Sequence, residues 1–142
     1  MKRLLHIFAL ILMLASPLLV QAQPTREKVE ALRVAFISKR LELTQAESEK
    51  FWPIYNEYQD KVKAVRRNLR ENYKEKGLHL GDEEAEDLYR LEIQSRQAEA
   101  DLYKQGSEKM RAVIGVKKMA KLRIAEEEFK REIINTLKEK GD

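Results

Sequence analysis

The 142 residues contain no cysteine, only three prolines and five glycines, and two histidines. Without cysteine there is no disulfide framework, haem-attachment motif, zinc knuckle or thiol nucleophile. With two histidines, most metal and acid–base chemistry is removed as well. So few glycines and prolines leave little punctuation for a turn-rich sheet protein. What the chain has instead is charge: 37% of it is Asp, Glu, Lys or Arg, beside 43% hydrophobic residues. That mixture of Lys, Glu, Leu and Ala favours long helices, and the length suits one domain with one modest core.

The first residues read as a separate object. Lys2 and Arg3 form a basic start, Leu4 to Val20 an almost uninterrupted apolar run, and Val20-Gln21-Ala22 a small-residue cleavage site. This is the three-part pattern of a secretory signal peptide. The competing reading is a retained membrane anchor, but the run is short for a span and Pro17 sits near its end. The expected organisation is therefore a signal peptide over residues 1–22 and one helical domain over 23–142, exported to the periplasm with cleavage near Ala22. The leader carries two of the excess positive charges and no acidic residue, so the net charge falls from +4 to about +2. A basic pI ordinarily raises nucleic-acid binding, but an exported chain meets little nucleic acid, and none is expected as a partner.

The remaining charges come in blocks. Lys61, Lys63, Arg66, Arg67, Arg70, Lys74 and Lys76 form a basic one, and Asp82, Glu83, Glu84, Glu86, Asp87 and Glu92 an acidic one. Between them lies Gly77-Leu78-His79-Leu80-Gly81, where Gly77 suits a helix C-terminus and Asp82 an N-cap. An antiparallel hairpin across this break lays basic side chains beside acidic ones, which selects helix neighbours. Lys61, Arg66, Arg67 and Arg70 are also the candidates for a basic binding surface. The basic stretch Lys117, Lys118, Lys121 and Arg123 has no such obvious counterpart.

Periodicity predicts four helices. The first runs from about Thr25 to Leu41, with Val29, Leu32 and Phe36 as a core stripe and Val34, Ile37 and Leu41 as a second stripe roughly 110° away. Thr44-Gln45-Ala46-Glu47 is a capping box opening the second helix. In that helix Phe51, Tyr55, Tyr58, Val62, Val65 and Leu69 alternate in steps of four and three, a coiled-coil-like seam. Pro53, nearly opposite the seam, should kink it. The third helix, about Glu83 to Val113, carries a core stripe of Leu88, Leu91, Ala98, Leu102, Met110 and Val113, thinned by Ser95 and Gly106. Tyr89, Ile93, Ala100 and Tyr103 form its second stripe. The fourth, about Lys117 to Glu139, has Leu122, Ala125, Phe129, Ile133 and Leu137. The second stripes are absorbed by a compact four-helix core or exposed as a dimer or client surface, and Val34, Ile37, Leu41, Trp52, Tyr89, Ile93 and Tyr103 are the candidates for that surface.

Leu43-Thr44-Gln45-Ala46-Glu47, followed by Phe51-Trp52-Pro53-Ile54-Tyr55, resembles the first LTxxQ-type motif of the periplasmic Spy/CpxP-like family. Glu47 stands where the family has Gln. The stretch corresponding to the second motif, Ile114-Gly115-Val116-Lys117-Lys118, departs further, with Gly115 replacing Thr and Lys118 replacing Gln. Leu43, Thr44 and Glu47 are the motif residues. The resemblance implies an all-α, four-helix, elongated and curved hairpin-type bundle with a long kinked second helix, often a homodimer. It implies ATP-independent chaperone activity, negative regulation of envelope-stress signalling by docking to a membrane signalling protein, or metal-responsive sensing. Its chaperones use a concave surface mixing basic and apolar side chains.

No cofactor is expected. The domain retains one histidine, His79, with Met110 and Met119 as thioethers, too few ligands for a specific metal site. The Glu83, Glu84 and Asp87 group sits where helix N-termini attract acids anyway. No nucleophile–base pair, Glu-x-x-His pair or Gly-rich phosphate loop is present, so catalysis is not expected. The expected function is reversible binding of unfolded or partner polypeptides, with a regulatory adaptor as the alternative.

Overall fold

The computed structural model describes residues 26–139 apart from residue 78; the expected signal peptide lies outside the described residues. Three helices are present: α1 (Arg26–Leu41), α2 (Gln45–Lys76) and α3 (Asp82–Glu139), with no strand among the described residues. The protein is all-α. Two compact units are distinguished, Met1–Glu30 and Ala31–Asp142. The described part of the first is the opening turn of α1, and all packing discussed below belongs to the second. No helix among the described residues is long and apolar enough to cross a membrane.

The turn between α1 and α2 satisfies its own backbone. The Leu43 amide donates to the Ser38 carbonyl at 3.0 Å and the Glu42 amide to the Lys39 carbonyl at 3.2 Å. Together these form a Schellman motif, with Glu42 at the left-handed position, φ 52°. Leu43 then packs against the core, as the motif's apolar contact should. One residue on, Thr44 caps α2: its hydroxyl accepts from the Glu47 amide at 3.2 Å, and its own amide donates to the Glu47 carboxylate at 2.8 Å. The expected capping box is present in both directions.

Pairings along α2 reveal the topology. Lys76–Glu84, Tyr73–Glu92 and Arg66–Glu99 are separated by 8, 19 and 33 residues, the growing separation of an antiparallel hairpin. The basic end of α2 therefore does lie against the acidic start of α3. Glu47–Lys118 and Tyr55–Glu126, by contrast, are both separated by 71 residues, which is parallel travel. The chain's direction along α2 thus reverses within α3, and Gly115 is where it does so, with non-helical φ 76° and ψ 166°. These dihedrals belong to a region essentially confined to glycine. Residues 82–114 form the first arm of α3 and residues 116–139 the second. The expected third and fourth helices are thus arms of one element, and the count is three.

α2 continues through Pro53, whose exposed position leaves the Glu49 carbonyl open to water, and the non-helical break of the fold lies at Gly115. One further expectation is corrected. The helix expected to begin after an Asp82 N-cap already includes Asp82, and the Gly81 amide donates instead to the Glu84 carboxylate at 3.3 Å.

The core gathers where α1, α2 and both arms of α3 meet. Ile37, Leu41, Phe51, Tyr55, Met110, Ile114, Leu122 and Ala125 form one buried cluster. Phe51, Trp52 and Tyr55 pack with ring centroids 5.1–5.4 Å apart, and Phe36 meets Phe129 at 5.6 Å. The α2 seam is buried at Phe51, Tyr55 and Val62, then only half-buried at Val65 and Leu69. Packing along the hairpin is correspondingly thin, but close at one point. A Cβ at Gly106 would sit 3.0–3.2 Å from the Tyr58 side chain, so glycine there lets the first arm approach α2.

Candidate functional site

Against the expected surface, Ile37 and Leu41 are 0% and 1% exposed, so both belong to the core. Leu32, expected in the core, is 52% exposed. The rotation has a local cause. α1 is tied at its C-terminal end by the Schellman turn and by Trp52, whose indole N–H donates to the Ser38 hydroxyl at 3.1 Å. With Ser38 held against Trp52 and Phe36 against Phe129, the side chain between them, Ile37, points into the bundle. Trp52 is half-buried and packs against the core, and Val34 is half-buried.

Tyr89, Ile93 and Tyr103 are exposed at 62%, 52% and 60%, in one row on the first arm of α3. Helical spacing alone puts them within about 80° of one another. Tyr103 also touches Tyr58 edge-on, with centroids 6.4 Å apart, so the row leans toward α2 at that point.

Beneath Tyr103 opens a groove of about 480 Å³ between α2 and the two arms of α3. Its apolar lining is Tyr55, Tyr58 and Val62 from α2, Met110 from the first arm, and Met119 and Leu122 from the second. Arg66, Arg123 and Glu126 supply its charge. The Tyr55 hydroxyl donates to the Glu126 carboxylate at 2.7 Å. Burial nevertheless raises the Glu126 carboxyl above the usual glutamate range, outweighing that bond and the nearby guanidinium groups. Burial likewise raises the Tyr58 phenol. Aromatic rings and thioethers adapt to varied apolar side chains, while the charged groups offer hydrogen bonds to exposed peptide.

The basic candidates divide. Arg66 lines the groove but is held by Glu99 through two bonds, 2.9 and 2.6 Å. Lys61 pairs with Glu57 on its own helix. Arg67 and Arg70 are exposed and form no ion pair among the described residues. The motif residues Leu43, Thr44 and Glu47 build the α1–α2 turn rather than the groove. There Lys118 donates to the Glu42 carbonyl at 2.9 Å and to the Glu47 carboxylate at 2.6 Å, closing the turn onto the second arm. The Lys118 bond is the largest cause of a lowered Glu47 carboxyl, with the Thr44 amide next.

Sequence reasoning missed the groove and Glu126. Three consecutive glutamates, Glu126, Glu127 and Glu128, look like a solvated run, yet steps of about 100° send them apart. Glu126 meets Tyr55, Glu127 meets Arg123, and Glu128 meets Arg40. No group of three or more metal-ligating side chains lies together among the described residues, and His79 is exposed in the α2–α3 turn. No family model, no curated protein and no solved structure matches the chain.

Proposed function

We propose that this protein is an exported, ATP-independent chaperone-like protein that reversibly captures unfolded or partner polypeptides in the cell envelope. The observation that carries the reading is the exposed Tyr89–Ile93–Tyr103 row running to a groove with aromatic, thioether and guanidinium lining. Exposed apolar surface beside polar groups commonly marks a protein-binding site. The shallow mixture suits extended, weakly specific segments better than a single small ligand, which an enclosed apolar pocket would favour. In this reading the leader is removed near Ala22, the chain acts in the periplasm as a Spy/CpxP-like protein, and the two arms of α3 behave as separate rods of a four-rod bundle. The Tyr89 row also serves as the proposed homodimer contact.

Aggregation of several unrelated clients tests the reading. A general chaperone suppresses most of them near one-to-one ratio, and replacing Tyr89, Ile93 and Tyr103 together with serine should abolish suppression while leaving helicity intact. A dedicated regulator, docking to one membrane signalling protein, suppresses none. If the triple variant loses self-association but keeps client binding, the row is a dimer contact alone and the surface assignment fails.

A further inference from the structure

A second exposed apolar face lies on the other arm, adjoining the client surface at Tyr103 and Met119. On residues 116–139, Val116 is 67% and Ile124 60% exposed. At about 100° per residue, Val116, Lys117, Ala120, Lys121 and Ile124 share a sector of roughly 140°. The buried residues Leu122, Ala125 and Phe129 project from the opposite side of the arm.

The charge is basic over the first part of this face; one turn further on, Glu127 and Glu128 fall in the same sector, where they pair with Arg123 and Arg40. Between Gly115 and Ala125 there are four cations, Lys117, Lys118, Lys121 and Arg123, and no carboxylate. Lys118 is consumed by Glu42 and Glu47, and Arg123 meets Glu127 only at 3.4 Å, in the open. Lys117 and Lys121 form no ion pair among the described residues. Arg111, likewise without an ion pair among them, comes in across a notch of about 310 Å³ that it lines with Val116 and Ala120. A single carboxylate, Glu108, lines that notch.

We propose that this outer face of the second arm rests on an anionic lipid surface. Cations alone would suit any polyanion, but exposed aliphatic side chains between them gain nothing from a phosphate chain in water. At a bilayer interface both are used: Val116 and Ile124 enter the acyl boundary while Lys117 and Lys121 meet the headgroups. Lysine stems can also lie along the interface with their ammonium groups in the headgroup layer. A helix lying in the interface in this way needs no spanning segment. It would hold the client groove near a membrane, with Tyr103 and Met119 on the edge that the two surfaces share.

Vesicle co-sedimentation of the full chain tests this, using phosphatidylcholine vesicles with and without phosphatidylglycerol. Wild type, K117E/K121E and V116S/I124S all carry the same residues 1–22, so any binding by the leader is common to the three. The expected result is tighter binding to the phosphatidylglycerol vesicles, weakened about fivefold or more per lysine replaced and abolished near 1 M salt, where the Debye length is about 3 Å. V116S/I124S should weaken binding to the same vesicles while keeping wild-type helicity. Equal partitioning onto both vesicle types, or no loss in K117E/K121E, overturns the proposal. Full binding by V116S/I124S shows a purely electrostatic surface, open to soluble polyanions, and overturns the lipid assignment too.

Discussion

Gly115→Ala distinguishes two architectures by the sign of its effect. In a continuous α3, glycine at position 115 would be a weak point, and alanine would stabilise the helix by about 1 kcal/mol. In the observed fold Gly115 adopts φ 76° and ψ 166°, where an L side chain is strained. A Cβ there meets nothing within 4 Å, so no clash contributes and the cost is purely that of the backbone. Strain of this kind is about 1–3 kcal/mol, so the two architectures differ by about 2–4 kcal/mol and in opposite directions. For a domain of this size each kcal/mol moves Tm by about 3–6 °C, so a fall of roughly 6–12 °C is expected for a cost of about 2 kcal/mol. Thermal unfolding followed by far-ultraviolet circular dichroism reads it, with Trp52 fluorescence reporting the core. A straightened α3 would strip Leu122, Ala125 and Phe129 from the core, and sedimentation would register the exposed face as new self-association. A variant as stable as wild type, or more so, refutes the reversal at Gly115.

Ile37→Ala should cost about 2–4 kcal/mol in urea unfolding, because the side chain is fully buried, while Leu32→Ala should stay within about 0.5 kcal/mol. Equal costs would show that α1 is rotated from the orientation described. Glu126→Gln should stabilise the protein at neutral pH, since Gln can still accept from Tyr55 without carrying a buried charge. The raised Glu126 carboxyl means the unfolded chain ionises first as pH rises. Its stabilising contribution is therefore complete below the ordinary glutamate range and lost between that range and its raised value. The advantage of the Gln variant should accordingly grow across that window and then level off; an advantage that grows instead as pH falls contradicts the burial of Glu126.

Much of the fold was legible because local rules and tertiary packing agreed. The α2 seam, the capping box at Thr44 and the break at Gly77 each follow from short-range spacing, and each lies close to its expected position. The charge blocks likewise anticipated the hairpin, since Lys76–Glu84 and Arg66–Glu99 cross it. α1 was misread because its two apolar stripes, about 110° apart, are equivalent by periodicity. What chooses between them is Trp52 and Phe129, which are 14 or more residues away in sequence from the side chains they hold. The groove was illegible for a related reason. Its walls come from α2 and from two arms whose relative direction depends on one glycine, and no periodicity within a helix encodes that reversal.

The α1–α2 turn shows how two departures from a sequence pattern can be one feature. Glu47 and Lys118 are the fifth residues of the two stretches that resemble paired family motifs, and both stand where glutamine was expected. Considered separately, each weakens the resemblance. In the fold they meet at 2.6 Å, with side chains 23% and 25% exposed, and the same Lys118 ammonium takes up the Glu42 carbonyl. Glu42 is the strained residue of this turn, a non-glycine at φ 52°, so its carbonyl is presented by a conformation that needs outside support. A glutamine at either position could offer one amide hydrogen bond, but a Glu–Lys pair adds charge and leaves further ammonium protons for the carbonyl. In the second stretch Gly115 stands where the resembling motif has threonine, so no threonine cap starts the second arm. Lys118 supplies a different anchor, fastening the start of the second arm to the turn that the first stretch caps. On this account reversing the pair together, Glu47→Lys with Lys118→Glu, should not restore the turn. An ammonium at position 47 cannot accept from the Thr44 amide, and a carboxylate at position 118 cannot donate to the Glu42 carbonyl. Urea unfolding checks this: the double variant should stay clearly less stable than wild type, whereas full recovery would mean that only the opposite charges matter.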